Sequence, residues 1–431
     1  MRSRLIKRKT LAILVLAVIL CFGFTFAVLA ATVSPKDLVL TAIDNMDFEP
    51  ARKLHNHLSG NATLTIDRLE GNSLEEFSIP IGTSLGCDYK LDVPGKKAGV
   101  DLNLKYDNKD YRGQIYLSDD KLIFSKSFVT ALQELAPQSD MGLPDQYPEY
   151  LYQSVPEISE IWPSLLNYQN NEMNRINQIN AEIKALIKFL VEAIPAEYFS
   201  VSGSTVTLEL DQDGLITTVN AVLQKVKDEK TRFADIIANI AVVYDTADAA
   251  DNQAQIKAEI IADIHGAVKN GTWPTEDQVK MIGNFIQVEQ FKWQTSIIPG
   301  GQKSLDASIA LKPESSLTGQ IDINSESAGK ADNLTGTYDL KLSFTEPDGI
   351  SFNGAIESDM TIKGEKTTRN TDLSATSKTA GVVEFDMAAS FKLTQQVDDG
   401  TIVSVPALTE SNSLNVDKLP NAPEPTPEPL R

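Results

Sequence analysis

"GQIYLSDDKLIFSKS", residues 113–127, sets the reading of the whole chain. Apolar and polar residues alternate, a polar turn "SDDK" intervenes, and alternation resumes. A period of two puts Ile115, Leu117, Leu122 and Phe124 on one face of a hairpin and Gln114, Tyr116, Lys121 and Ser125 on the other. Similar segments precede it at intervals of about ten residues, "NATLTIDRL", "EEFSIPI", "CDYKLDV" and "AGVDLNLKY", and "YRGQIYL" (111–117) is its own first strand. Gly, Asn, Asp and Pro punctuate them, which predicts an antiparallel meander over about 59–126. A short helix, "SPKDLVLTAIDNM", comes first, with Ser34 as N-cap and Pro35 in its first turn.

Beyond the hairpin the period changes. Residues 128–292 read mostly as helix, broken by the Pro- and Tyr-rich loop "PQSDMGLPDQYPEYLYQSVP" and by a hairpin, "YFSVSGSTVTLEL". Met173, Ile176, Ile179, Ile183, Leu186, Leu190 and Ile194 recur at helical spacing up to Pro195. Two further stripes follow, Phe233 to Val243 and Ile256 to Val268, and "TEDQ" (275–278) reads as a capping box. Strands return over about 291–395, where Leu305, Ala307, Ile309 and Leu311, then Tyr338, Leu340, Leu342 and Phe344, then Val383, Phe385, Met387 and Ala389 alternate with Ser, Thr, Asp and Lys. That pattern predicts a sheet with one wet face and one covered face. Residues 396–431 lose periodicity and end in "PNAPEPTPEPLR", so they are expected to form an extended, disordered tail.

Compartment is read from residues 1–30. A basic start precedes "LAILVLAVILCFGFTFAVLA", either a signal peptide cleaved after Ala30 or a retained N-terminal membrane anchor. Either way the body, about 32–395, is expected outside the cytoplasm, at a bacterial cell surface or secreted. Beyond residue 30 there are 34 cationic against 59 anionic side chains, a balance of −25, which excludes nucleic acid as a partner. Cys87 is alone after residue 30, so no internal disulfide or cysteine metal site can form there.

Motifs that could carry chemistry are weak. "GTSLG" (82–86) matches the nucleophile elbow in spacing, but a strand-like segment follows Ser84 where a helix is needed. "HNH" (55–57) offers two ligands and no third. "DQDG" (211–214) reads better as a helix cap than as a calcium loop. "DTADAADN" (245–252) reads as a connection, with Asp251 capping the next helix. Tyr147, Tyr150, Tyr152 and Trp162 suggest a lid or a packed crossing, and Trp273 and Trp293 suggest core anchors. No catalytic residue, metal or cofactor is expected, and the chain is read as a non-enzyme.

The stretches 111–128 and 198–226, with the strands from Leu305 onward, resemble the LolA/LppX-like family of exported lipid and lipoprotein carriers. The resemblance is one of topology and extends over most of residues 34–395. It implies an α+β fold: a curved, half-barrel-like antiparallel sheet with the large helical insertion packed on its apolar face. It further implies a lipid or acyl chain held between sheet and helices, with Ile115, Leu117, Leu122, Phe124, Leu340, Leu342, Phe344 and Phe385 as wall residues. The competing expectation is a structural or interaction protein whose groove is filled by its own helices. This chain departs from the family in lacking a lipobox and in the size of its helical insert.

Overall fold

Residues 34–44, 57–71, 79–135, 143–144, 146–244, 249–298, 300–312, 318–330, 332–397 and 400–418 are described in a computed structural model, with the side chains of 41–42, 44, 164–177, 242–244, 249–252 and 282 set aside. Helix α1 (Pro35–Asp44) leads into strands β1 (His57–Glu70), β2 (Ser84–Asp92), β3 (Lys97–Tyr106), β4 (Lys109–Ser118) and β5 (Lys121–Ser125). Next come α2 (Lys126–Leu135), β6 (Tyr150–Ser154), α3 (Pro156–Ala193), β7 (Phe199–Ser202) and β8 (Thr205–Glu209). Helices α4 (Gln212–Asp228), α5 (Lys230–Tyr244), α6 (Ala249–Lys269) and α7 (Glu276–Lys280) follow. The chain then builds β9 (Ile286–Ser296), β10 (Lys303–Leu311), β11 (Thr318–Lys330), β12 (Asn333–Thr345), β13 (Ile350–Lys363), β14 (Lys366–Thr379), β15 (Val382–Val397) and β16 (Ser413–Asn415).

All sixteen strands join one sheet, in the order β16-β6-β5-β4-β3-β2-β1-β15-β14-β13-β12-β11-β10-β9-β8-β7. Every pairing is antiparallel except β16 with β6. Local chemistry explains the turns. Asp107 and Asn108 take φ of 49° and 60° between β3 and β4, the two positive values that a tight hairpin turn requires. Ser34 Oγ accepts from the Asp37 amide, Asp211 accepts from the Gly214 amide, and Thr275 with Gln278 closes a reciprocal box. Three helix starts thus form as the sequence predicts. Asp251 does not cap: α6 begins at Ala249 and includes it.

The half-barrel expectation is overturned. The sheet is open and neither closed nor strongly curled, with separate edges at β16 and β7. The reason lies in the insertion, which does not simply lie on the sheet. Its strand β6 pairs with β5 at one flank, and its β7–β8 hairpin pairs with β9 at the other. The insertion therefore extends the sheet at both flanks and places its edges at β16 and β7. Both edge strands are short, three and four residues, which limits the row of unpaired backbone groups.

Among the described residues the helices do not bury the whole apolar face. The main core joins α1, the C-terminal half of α3, and α4 to β8, β9, β10 and β11. Phe189, Val191, Ile194, Leu215, Val219 and Val222 meet Val206, Leu208, Phe291, Trp293, Leu305 and Ala307 there, all buried. At the opposite flank α2 sits on β4 and β5. Phe128 stacks on Phe124 with ring centroids 5.5 Å apart, and the α2 backbone lies directly over Gly113. A Cβ on Gly113 would stand 2.6 Å from Phe128 Cα and 2.5 Å from its Cβ. Gly113→Ala should therefore lift the start of α2 and cost about 1–3 kcal/mol, read as a lower denaturant midpoint.

Ordered structure also runs past residue 396, where the tail is expected to begin. Residues 400–412 cross the wet face with Thr401 and Val403 buried, and Val403 approaches Gly99. The segment then turns at Thr409–Asn412 and adds β16 beside β6, where Asp417 accepts from the Ser154 amide. Residues 419–431 lie outside the described set, as does the N-terminal segment 1–33.

Candidate functional site

Strand register decides which side chains share a surface. Starting at the buried flank, Phe291, Ala307, Ile323, Leu340, Ile356, Leu373, Ala389 and Ile66 occupy one continuous row from β9 to β1. The next row in the same face runs Val288, Ile309, Ile321, Leu342, Gly354, Ala375, Met387 and Leu69. A third contains Phe344, Phe352 and, across β14, Phe385. On the other side of the first row come Tyr338, Ser358, Thr371, Phe391, Leu64, Leu85, Leu104 and Tyr111.

Burial varies along these rows while their apolar character largely persists, with Ala389 and Thr371 buried again beyond the half-buried stretch. Phe291, Ala307 and Ile323 are 1–4% exposed beneath the helices. Leu340, Ile356 and Leu373 are half-buried, whereas Phe352 is 37% exposed, Leu64 39% and Leu85 47%. Apolar surface left open on this scale is the informative observation, because isolated exposed leucines are ordinary. The opposite face is hydrated: Ser308 donates to Asp322, Gln290 to Asp306, and Lys341 to Asp339.

The eight expected wall residues all fall on this apolar face, though not as one cluster. Ile115 and Leu117 pair with Phe124 and Leu122 at the α2 flank, as the alternation implies. Leu340, Leu342 and Phe344 lie on β12, and Phe385 on β15. Strands β13, β14, β15, β1, β2 and β3 separate β12 from β4. All eight are half-buried. Ile123, on the reverse face of the opening hairpin, is instead the fully buried residue, packed between Tyr116 and Tyr152 in register. Leu64, Leu85 and Phe352 were not among the expected wall residues. Their alternation was visible, but strand adjacency across the sheet was not.

Three open clefts are lined by other residues. One of about 960 Å3 lies between the free end of β4, α2 and residues 147–149. Its lining includes Lys109, Asp110, Tyr111, Arg112, Lys126, Glu134, Tyr147 and Glu149. A second, of about 520 Å3, lies under Val403 and Ser404 on the wet face, and a third, of about 380 Å3, at the ends of β11 to β13. None of the eight wall residues lines any of these.

The remaining motifs resolve locally. Ser84 opens strand β2 after a turn at Gly82 (φ 81°), so the strand–turn–helix of a nucleophile elbow does not form. His57 begins β1, 3.6 Å from Asp92, while His55 is outside the described residues. Among the described residues no group of three His, Cys, Asp or Glu could hold a metal. Tyr150 and Tyr152 belong to strand β6, and Trp162 is a core anchor. No described helix is long and apolar enough to cross a membrane, which has no bearing on β-barrels.

No protein-family model matches the chain, and no curated protein does. Among solved structures, Pseudomonas aeruginosa OccK5 (OpdH) aligns at 6% identity over 79% of this chain and 97% of its own, with a TM-score of 0.12. OpdQ and OpdL of the same organism align at 7% identity, over 79% of this chain and 96% and 97% of theirs, each with a TM-score of 0.11. Backbones scoring so low do not superpose, and they assign neither fold nor activity.

Proposed function

We propose that this chain is a non-enzymatic, exported cell-envelope protein that holds a hydrophobic chain, a lipid or acyl group, against the half-exposed apolar shelf of its sheet. One observation supports the reading: the rows from β9 to β1 remain largely apolar after the helices end, while the opposite face is polar throughout its hydrogen-bonded pairs. An acyl chain laid across the strands along their row would remove Leu64 and Leu85 from water, each CH2 buried contributing about 0.8 kcal/mol. Export is inferred from the basic and apolar residues 1–30.

Leu85→Asp should weaken binding of a fluorescent fatty acid at least about tenfold and leave the thermal midpoint unchanged, because the side chain is already 47% exposed. A wild-type chain that takes up no fatty acid would sink the reading. A ligand-free structural protein would then be the better account, consistent with the packing of helices into the β8–β11 flank.

A further inference from the structure

Arg369 is the only charged side chain in the rows that pair β12 through β3 on the apolar face. On β14 it stands opposite Met360 of β13 and Leu393 of β15, and its row continues through Ala62 and Cys87 to Leu102 on β3. The row beside it runs from Thr371 through Phe391, Leu64 and Leu85 to Leu104. One cation thus stands at the head of two adjacent apolar rows. We propose that Arg369 anchors the carboxylate of a free long-chain fatty acid whose chain crosses the strands between these rows, from β14 toward β3. The inference rests on the shelf reading and adds the headgroup chemistry and the path of the chain.

The guanidinium is held from one side only. Its Nε donates to Ser358 Oγ at 3.2 Å, and that hydroxyl lies 2.9 Å from Thr371 Oγ1. Ser358 and Thr371 belong to the same face, and Thr371 is buried. No carboxylate among the described residues pairs with Arg369, which is exposed. A guanidinium fork matches the two oxygens of a carboxylate, and a few placed polar groups on an apolar lining are what orient a ligand. One cation suits one negative charge; a phosphate monoester, nearly doubly charged, would stay partly uncompensated in a protein whose balance is already −20. Four strand spacings separate β14 from β3, about 19 Å at about 4.8 Å each, a reach for a long acyl chain rather than a short one. A charge on an open apolar face also discourages self-association, and that role alone predicts no preference for an acid.

The test uses the full chain and three probes of one chain length: palmitate, hexadecanol and hexadecyl phosphate. Palmitate should bind about tenfold tighter than hexadecanol. Arg369→Gln should erase that advantage and leave hexadecanol binding and the thermal midpoint unchanged, since the side chain is exposed. Arg369→Lys, which keeps the charge and loses the fork, should retain only part of the advantage. Cys87, a free and half-buried thiol in the same row, reports the path: saturating palmitate should slow its alkylation several-fold. Equal affinity for palmitate and hexadecanol, or an advantage that survives Arg369→Gln, would overturn the anchor and leave the shelf standing. Tighter binding of hexadecyl phosphate than of palmitate would overturn the carboxylate assignment, and alkylation of Cys87 at an unchanged rate would overturn the path toward β3. Failure of all three probes to bind would overturn the shelf itself.

Discussion

Trp162→Ala is expected to destabilise the protein by about 3–5 kcal/mol, the range for removing a fully buried large aromatic. Trp162 is 2% exposed and sits in the first turns of the 38-residue helix α3. Its indole N–H donates to the Asp119 carbonyl at 2.8 Å, so the β4–β5 turn is tied to the helix that runs from this flank toward β7. Truncation would leave a cavity and also an unpaired carbonyl at the turn. Trp162→Phe separates the two effects, because it keeps much of the apolar volume and loses only the donor. Its cost should be nearer 1–2 kcal/mol. Equilibrium denaturation of both variants measures this, and equal stabilities for wild type and Trp162→Ala would show that the anchor contributes nothing.

A loss of stability at acid pH is expected from Glu192, at the other end of the same helix. Its carboxylate accepts a two-pronged pair of hydrogen bonds from Arg232, at 2.6 and 2.9 Å, and lies 2.9 Å from Lys225. The Arg232 bonds, helped by Lys225 and opposed by partial burial, hold its pKa at about 2. Burial pulls Lys225 down, and the hydrogen bonds to Glu229 and Glu192 more than reverse that, leaving its pKa raised. Lys225 and Arg232 also lie over the Phe189 ring at 5.1 and 5.4 Å. From α1, Lys36 donates to the Glu192 and Ile194 carbonyls at 2.8 and 2.5 Å, satisfying acceptors left open at the helix end.

A carboxyl whose folded pKa is lowered stabilises the fold fully above its unfolded value, about 4.5, and loses that contribution as pH falls toward about 2. Taken at face value the shift corresponds to on the order of 3 kcal/mol, and screening of the 43% exposed Arg232 reduces it to about 1–2 kcal/mol. Glu192→Gln should remove most of the extra stability lost between pH 4.5 and 2 and lower stability at pH 7 by a similar amount. Identical pH profiles for the variant and the wild type would exclude this role.

Residues whose partners are close in sequence were legible from the start. The face shared by Ile115, Leu117, Leu122 and Phe124 follows from alternation across a tight turn, and the caps at Ser34, Asp211 and Thr275 follow from side chains that reach amides three residues on. Strand β6 was hidden, since "YLYQS" alternates for only five residues among prolines and read as loop. The C-terminal crossing was hidden too, because Val403 is buried by contacts made far away in sequence.

Thus the sequence by itself determined that this is an α+β chain built on antiparallel strands with an apolar and a polar face. Both properties arise from the period of two and from local turn chemistry. Only the tertiary structure decided where the sheet ends and how much of its apolar face the helices cover. Edge identity depends on pairings such as β1 with β15 and β8 with β9, which join distant residues and leave no local mark. Coverage depends on how the helices divide their apolar stripes between one another and the sheet. Here the core forms over β8–β11 and a smaller contact forms under α2, with Leu64 and Leu85 left open between them.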